Sequence, residues 1–136
     1  MNIFIFSSLN AEDEFKFKIT EIDITENSNK IRGSKSGKAE TQDGFEIIGE
    51  NFLYNKLTKI LNVSGNVKLI SKTDDIIIFS DKAIYLKSDE IIFTEGNTKA
   101  LVDKKFKFES KNVNYSKKIQ QLTSENKSTV KDSNGN

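Results

Sequence analysis

The 136-residue chain contains no histidine and no cysteine. The commonest general base, the thiolate nucleophile and the usual nitrogen and sulfur metal ligands are therefore missing. What remains for acid–base work is adjacent carboxylates, Asp74-Asp75 and Asp89-Glu90. Both pairs stand where a turn gives way to a strand, and acids in turns are usually solvated. The sequence shows no nucleophile beside a base, no Gly-rich phosphate loop and no metal-ligand spacing. The chain therefore reads as a non-enzyme that needs neither metal nor cofactor. The side chains left with work to do are apolar. Phe45, Ile47, Phe52, Tyr54, Leu61, Val67 and Leu69 make one set. Ile76, Ile78, Ala83, Tyr85 and Ile92 make a second, and Phe106, Phe108, Val113 and Tyr115 a third. A lining of this kind can exclude water from an apolar guest or from itself.

These residues recur at a fixed offset. Phe45 and Ile76, Tyr54 and Tyr85, and Gly65 and Gly96 are each 31 residues apart. A further step of 30 brings Ile76, Ile78 and Tyr85 onto Phe106, Phe108 and Tyr115. A step of 30 backwards brings Phe45 and Ile47 onto Phe15 and Phe17. Such a period marks stacked supersecondary units, about four of roughly 30 residues here, with the outer two weaker.

The elements that carry the lining are strands. Periodicity is two nearly throughout, as in Phe15-Lys-Phe-Lys-Ile19. The turn signals predict roughly eight strands and no amphipathic helix. Residues 31–40, with Gly33, Ser34, Ser36 and Gly37, form the poorest candidate. In each unit the apolar parity switches mid-strand. Phe45 and Ile47 are odd, whereas Phe52 and Tyr54 are even, and the other units behave alike. Alternate residues of a strand face opposite sides, so a switch must be absorbed by a bulge or bend. The switches fall at Thr20-Glu21, Gly49-Glu50-Asn51, Ser80-Asp81-Lys82 and Ser110-Lys111-Asn112. Four bends in line predict a sheet creased along one axis, with an apolar interior between two arms. Gly65 and Gly96 lie on the lining parity and suit a bulge or a close backbone approach.

Composition bounds the partners. Twenty-one basic and 20 acidic residues leave a net charge of +1. Without a basic excess, nucleic acid is not an expected partner. Residues 1–11 are apolar, then small, and precede acidic Glu12-Asp13-Glu14. They read as the remnant of a secretory leader cut after Ala11, the other reading being an ordinary first strand. The jellyroll itself is expected over residues 14–130, with 131–136 as a flexible tail or truncation point.

At these residues the chain resembles the OstA-like lipopolysaccharide-transport family, which includes LptA and the N-terminal periplasmic domain of LptD. That repeat reads roughly Ala-Asp-x3-Tyr … Leu-x-Ala-x-Gly-Asn-Val. The matching stretches are Gly49-Glu50-Asn51-Phe52-Leu53-Tyr54 … Leu61-Asn62-Val63-Ser64-Gly65-Asn66-Val67 and Ser80-Asp81-Lys82-Ala83-Ile84-Tyr85 … Gly96-Asn97-Thr98. The first unit departs from it, with Ile24 in the tyrosine's place. The resemblance implies an all-β fold, a folded antiparallel β-jellyroll or "β-taco". It implies a periplasmic, outer-membrane-associated location in a Gram-negative bacterium. It also implies lipid A acyl chains of lipopolysaccharide against the lining named above, and head-to-tail joining to neighbouring Lpt jellyrolls by edge-strand addition. The ending resembles the front of a longer LptD-type chain with a C-terminal outer-membrane barrel. The competing expectation is a structural β-repeat interaction domain with a filled core and no lipid ligand.

Overall fold

In the computed structural model, the described residues are 2–10, 15–25, 27, 29–42, 44–124 and 129–131. Every regular element among them is a β-strand. In chain order these are β1 (Asn2–Asn10), β2 (Lys16–Thr25), β3 (Lys30–Glu40), β4 (Phe45–Gly49) and β5 (Asn51–Asn55). Then come β6 (Ile60–Ser71), β7 (Ile76–Leu86), β8 (Ile91–Glu95) and β9 (Asn97–Val102). The chain closes with β10 (Phe106–Lys111), β11 (Val113–Ser116), β12 (Gln121–Ser124) and β13 (Thr129–Lys131). All pair antiparallel within one sheet. Residues 1–11, read from the sequence as a leader remnant, include β1, which pairs along β2 from Asn2↔Asp23 to Asn10↔Lys16. Residues 11–14 and 132–136 lie outside the described residues.

From β3 onward a strand that follows a turn, rather than the crease, begins at residues 30, 45, 60, 76, 91, 106 and 121. The element that recurs is thus one long creased strand with its turn, every 15 or 16 residues. No boundary in the sheet groups these strands into thirty-residue units. The turns share a device. The residue just before β4, β6, β7, β8 and β12 (Gly44, Lys59, Asp75, Glu90 and Gln120) has positive φ. A left-handed residue at the end of a short loop re-aims the chain into the next strand, as in hairpins built on a type I turn.

The crease falls at the parity switches. β4 and β5 part at Glu50, β8 and β9 at Gly96 (φ 91°), and β10 and β11 at Asn112 (φ 56°). β6 crosses the line through a bulge at Gly65 (φ 83°) and Asn66 (φ 47°), opposite Ser80-Asp81-Lys82 of β7. β3 crosses it at Lys35 and Ser36, where its register with β2 slips beside Thr20. The weak candidate 31–40 is an eleven-residue strand. Its glycines explain both its poor propensity and its place. A Cβ on Gly37 would come within 2.5 Å of the Lys18 carbonyl oxygen and 2.6 Å of the Ile19 Cα. Close packing of β2 on β3 at the bend therefore requires glycine.

Where the ladder breaks, hydroxyls substitute. Val113 N–H donates to Thr94 Oγ1 (2.9 Å), Ser80 Oγ donates to the Glu95 carbonyl (3.1 Å), and Thr94 and Thr98 hydroxyls lie 2.8 Å apart. Ser80, Thr94 and Thr98 are all buried. A buried polar group is tolerated only with such partners.

Candidate functional site

The register places the lining in two rows, one on each arm. One arm carries Phe17↔Ala39↔Ile47↔Leu69↔Ile78↔Ala100↔Phe108 as successive cross-strand partners. The other carries Ile24↔Ile31↔Tyr54↔Leu61↔Tyr85↔Ile92↔Tyr115↔Leu122. Each row crosses the sheet because residues of one parity in paired strands share a face. The crease turns the two rows toward each other.

In the middle of the sheet the rows touch. Phe15, beside Phe17 on the first arm, packs edge-on to Tyr54 (5.1 Å between ring centres) and Tyr85 (5.5 Å) of the second. Phe45 meets Tyr85 at 5.7 Å, and Phe17 meets Tyr54 at 5.8 Å. Edge-on pairs at these distances add to the area term. Consequently Phe45, Ile47, Phe52, Tyr54, Leu61, Val67, Leu69, Ile78, Ala83, Tyr85, Ile92, Val113 and Tyr115 are at most 2% exposed, and Ile76 is 6% exposed. Phe108 is partly buried, and Phe106 is 45% exposed. The trough is filled by its own side chains along its centre and, among the described residues, less covered at the β10 end. Phe15, Phe17, Ile19, Ile22 and Ile31 belong to the same interior and were missed as site residues. The signal was present in the alternation 15-17-19, which the weaker outer unit made easy to discount.

Polar groups close the mouth where the arm tips meet. Asp74, in the turn between β6 and β7, accepts hydrogen bonds from the Tyr115 hydroxyl of the opposite arm and from Gln120 Nε2 (2.7 Å). Burial, and then the Asp74 carboxylate, hold the Tyr115 phenol above its ordinary value. It stays a protonated donor at neutral pH. Lys117, in the β11–β12 turn, lays its Nζ 4.9 Å from the Phe45 ring centre and 5.9 Å from that of Tyr85, and donates to the Tyr85 hydroxyl at 3.4 Å. Asp74, which the sequence paired with Asp75 and read as a solvated turn acid, thus ties the two arms together. Deep in the interior, Tyr54 Oη is buried and has no hydrogen-bond partner among the described residues. On the outer side of the crease, a depression of about 430 Å³ is lined by residues that include Arg32, Leu53, Asn62 and Ile84. Among the described residues no group of three or more His, Cys, Asp or Glu side chains is placed to hold a metal ion.

A single antiparallel sheet creased along its middle, with apolar rows on the inner faces of both arms, defines a β-jellyroll of the LptA-like type. Among solved structures the fold is shared with LptH from Pseudomonas aeruginosa, the LptA-homologous periplasmic component of the lipopolysaccharide transport device. The match has a TM-score of 0.70 at 9% sequence identity and covers 88% of this chain and 95% of that one. No family model matches the sequence, and no curated protein is similar to it.

Proposed function

We propose that this protein is a periplasmic lipopolysaccharide-transport module that shelters lipid A acyl chains between its arms and passes them toward the outer membrane. The observation that carries this reading is the pair of facing apolar rows. They run the width of the sheet, and at its β10 end Phe108 is partly buried while Phe106 is 45% exposed. The shared fold with LptH supports it. A tail of about twelve carbons left in water would cost on the order of 10 kcal/mol, at about 0.8 kcal/mol per methylene. Moving it from a bilayer into an apolar trough is nearly neutral. Such a trough can hand lipid on without trapping it.

The closed centre defines the mechanism. Tails enter at the β10 end, beside the exposed Phe106, and advance as rings such as Phe15, Tyr54 and Tyr85 yield. Edge strands supply the continuity between modules. Among the described residues, β1 pairs only with β2, and β12 and β13 pair only with β11 and β10. Unpaired strand edges accept strands from another chain. Removal of residues 1–11 would shift the first edge from β1 to β2. The outer-membrane barrel of an LptD-type chain would follow the β13 side.

The burial of the central rows favours one alternative, a structural β-repeat whose core is merely full. Native mass spectrometry of gently purified protein separates the two. Bound lipopolysaccharide is expected from a transport module, and lipid-free protein throughout would contradict it.

A further inference from the structure

The tip of the arm that carries Tyr54, Tyr85 and Tyr115 is a row of stacked turns. Lys56 N–H donates to the Asn29 carbonyl (2.8 Å), Lys87 N–H to that of Lys59 (3.0 Å), and Lys117 N–H to that of Glu90 (3.0 Å). Each turn is thus tied to the one before it, and a lysine opens each of the last three. Two of these turns push an aliphatic side chain into solvent, Leu57 being 74% exposed and Ile119 67%. Turns ordinarily take small polar residues. Neither side chain is needed to shape its turn. Asn55 Oδ1 accepts from the Leu57 and Thr58 N–H groups (2.9 and 3.2 Å). The turn of Ile119 is pinned by Lys117 N–H and by Gln120 Nε2 on Asp74. The charge around them is one-sided. Residues 56–59, 87–90 and 117–120 hold five lysines against Asp89 and Glu90, and the 26–29 turn beside them adds Glu26. The turns at the other arm's tip, 41–44, 72–75 and 103–105, hold three lysines against four aspartates.

We propose that this rim docks on the surface of an anionic lipid bilayer. Leu57 and Ile119 enter the boundary between headgroups and acyl chains, while Lys56, Lys59, Lys87 and Lys118 face the anionic headgroups. The inference stands apart from the trough, because a filled core would leave the rim unchanged. Lys117 is not assigned to the headgroups, since its Nζ lies over the Phe45 and Tyr85 rings. Two features favour a bilayer over a protein partner. Leu57 and Ile119 lie four strand spacings apart along the sheet, about 20 Å at about 4.8 Å per strand. A protein hot spot gathers its apolar anchors in one packed centre, whereas single side chains can enter a bilayer separately. The cations are also all lysine. Protein interfaces favour arginine and are depleted in lysine, whereas each lysine near an anionic membrane adds attraction without a fixed geometry. Docked in this way, the lipid surface lies beside the mouth that Asp74 and Tyr115 close.

The experiment uses the full chain and two kinds of vesicle, phosphatidylcholine alone and phosphatidylcholine mixed with phosphatidylglycerol. Binding is measured by co-sedimentation for the native protein and for two double variants, Leu57→Ser with Ile119→Ser and Lys56→Gln with Lys118→Gln, each checked for fold by circular dichroism. Native protein is expected to pellet with the anionic vesicles and not with the neutral ones, and high salt should release most of it. Each lost lysine should weaken that binding about fivefold, and each lost aliphatic side chain about as much. The chain has no tryptophan, so Leu57→Trp and Ile119→Trp report insertion directly. Their emission should shift to the blue on anionic vesicles, and that of Phe79→Trp, on the other arm, should not. Equal binding to neutral vesicles, or anionic binding that survives in both double variants, would overturn the rim. So would vesicle-bound protein whose Leu57→Trp and Ile119→Trp emission stays where it was. A blue shift that grows with protein concentration and needs no lipid would assign the rim to a second copy of the chain, and would overturn the bilayer as its partner.

Discussion

The centre of the sheet and its β10 end are built from the same alternation, yet they differ in what faces them. Around Phe17, Tyr54 and Tyr85 each inward ring meets a ring from the other arm. At Phe106 the inward position meets no covering ring among the described residues, and nearly half of the side chain is exposed. Strand parity decides which way a residue points. Whether it is then buried depends on the opposite arm, which parity does not contain. A closed middle gives the domain its stability, and an open end gives the proposed cargo an entrance.

The sharpest way to break that comparison is to truncate one aromatic in each region. Phe17→Ala should cost about 3–5 kcal/mol in urea unfolding, through lost burial and a cavity. Phe106→Ala should cost no more than about 1 kcal/mol, its exposed side chain giving up little. Similar losses at both positions would erase the distinction. Next in size is the crease. Gly37→Ala forces a Cβ against the backbone at Lys18 and Ile19, and overpacking of this kind typically costs about 1–3 kcal/mol. Tyr54→Phe runs the other way. Removing the orphaned hydroxyl should raise stability by about 1–2 kcal/mol, the cost of a buried unsatisfied group. A loss there would reveal a partner for Tyr54.

The mouth adds a smaller, pH-dependent effect. Tyr115 ionises less readily folded than unfolded, because burial and Asp74 hold its pKa up. Its contribution is therefore intact below about pH 10 and fades as pH rises further. Native protein should lose stability above that pH faster than Tyr115→Phe, as followed by thermal melts from pH 7 to 11. Parallel curves would separate Tyr115 from the alkaline transition.

Much of this was legible in the residues themselves. Period-two alternation gave the strands, and the parity switches at residues 20, 50, 81 and 111 fall where the strands bend, bulge or break. β3 was underrated because propensity scores Gly33 and Gly37 as losses, whereas the bend needs their missing side chains. Thr94 and Thr98 supply hydrogen bonds that the creased ladder has lost, a role their residue types alone do not announce. The tie between Asp74 and Tyr115 spans 41 residues and exists only once the sheet has folded over. No local pattern could announce it.

The most direct measurement places a photo-crosslinking residue at Tyr85 in the closed interior, at Phe108 near the open end, and at Phe79, an exposed aromatic, as the outside reference. In Gram-negative cells, lipopolysaccharide adducts are expected at Phe108 and Tyr85 and not at Phe79. Adducts confined to Phe79, or absent from both interior positions, would contradict the acyl-chain trough.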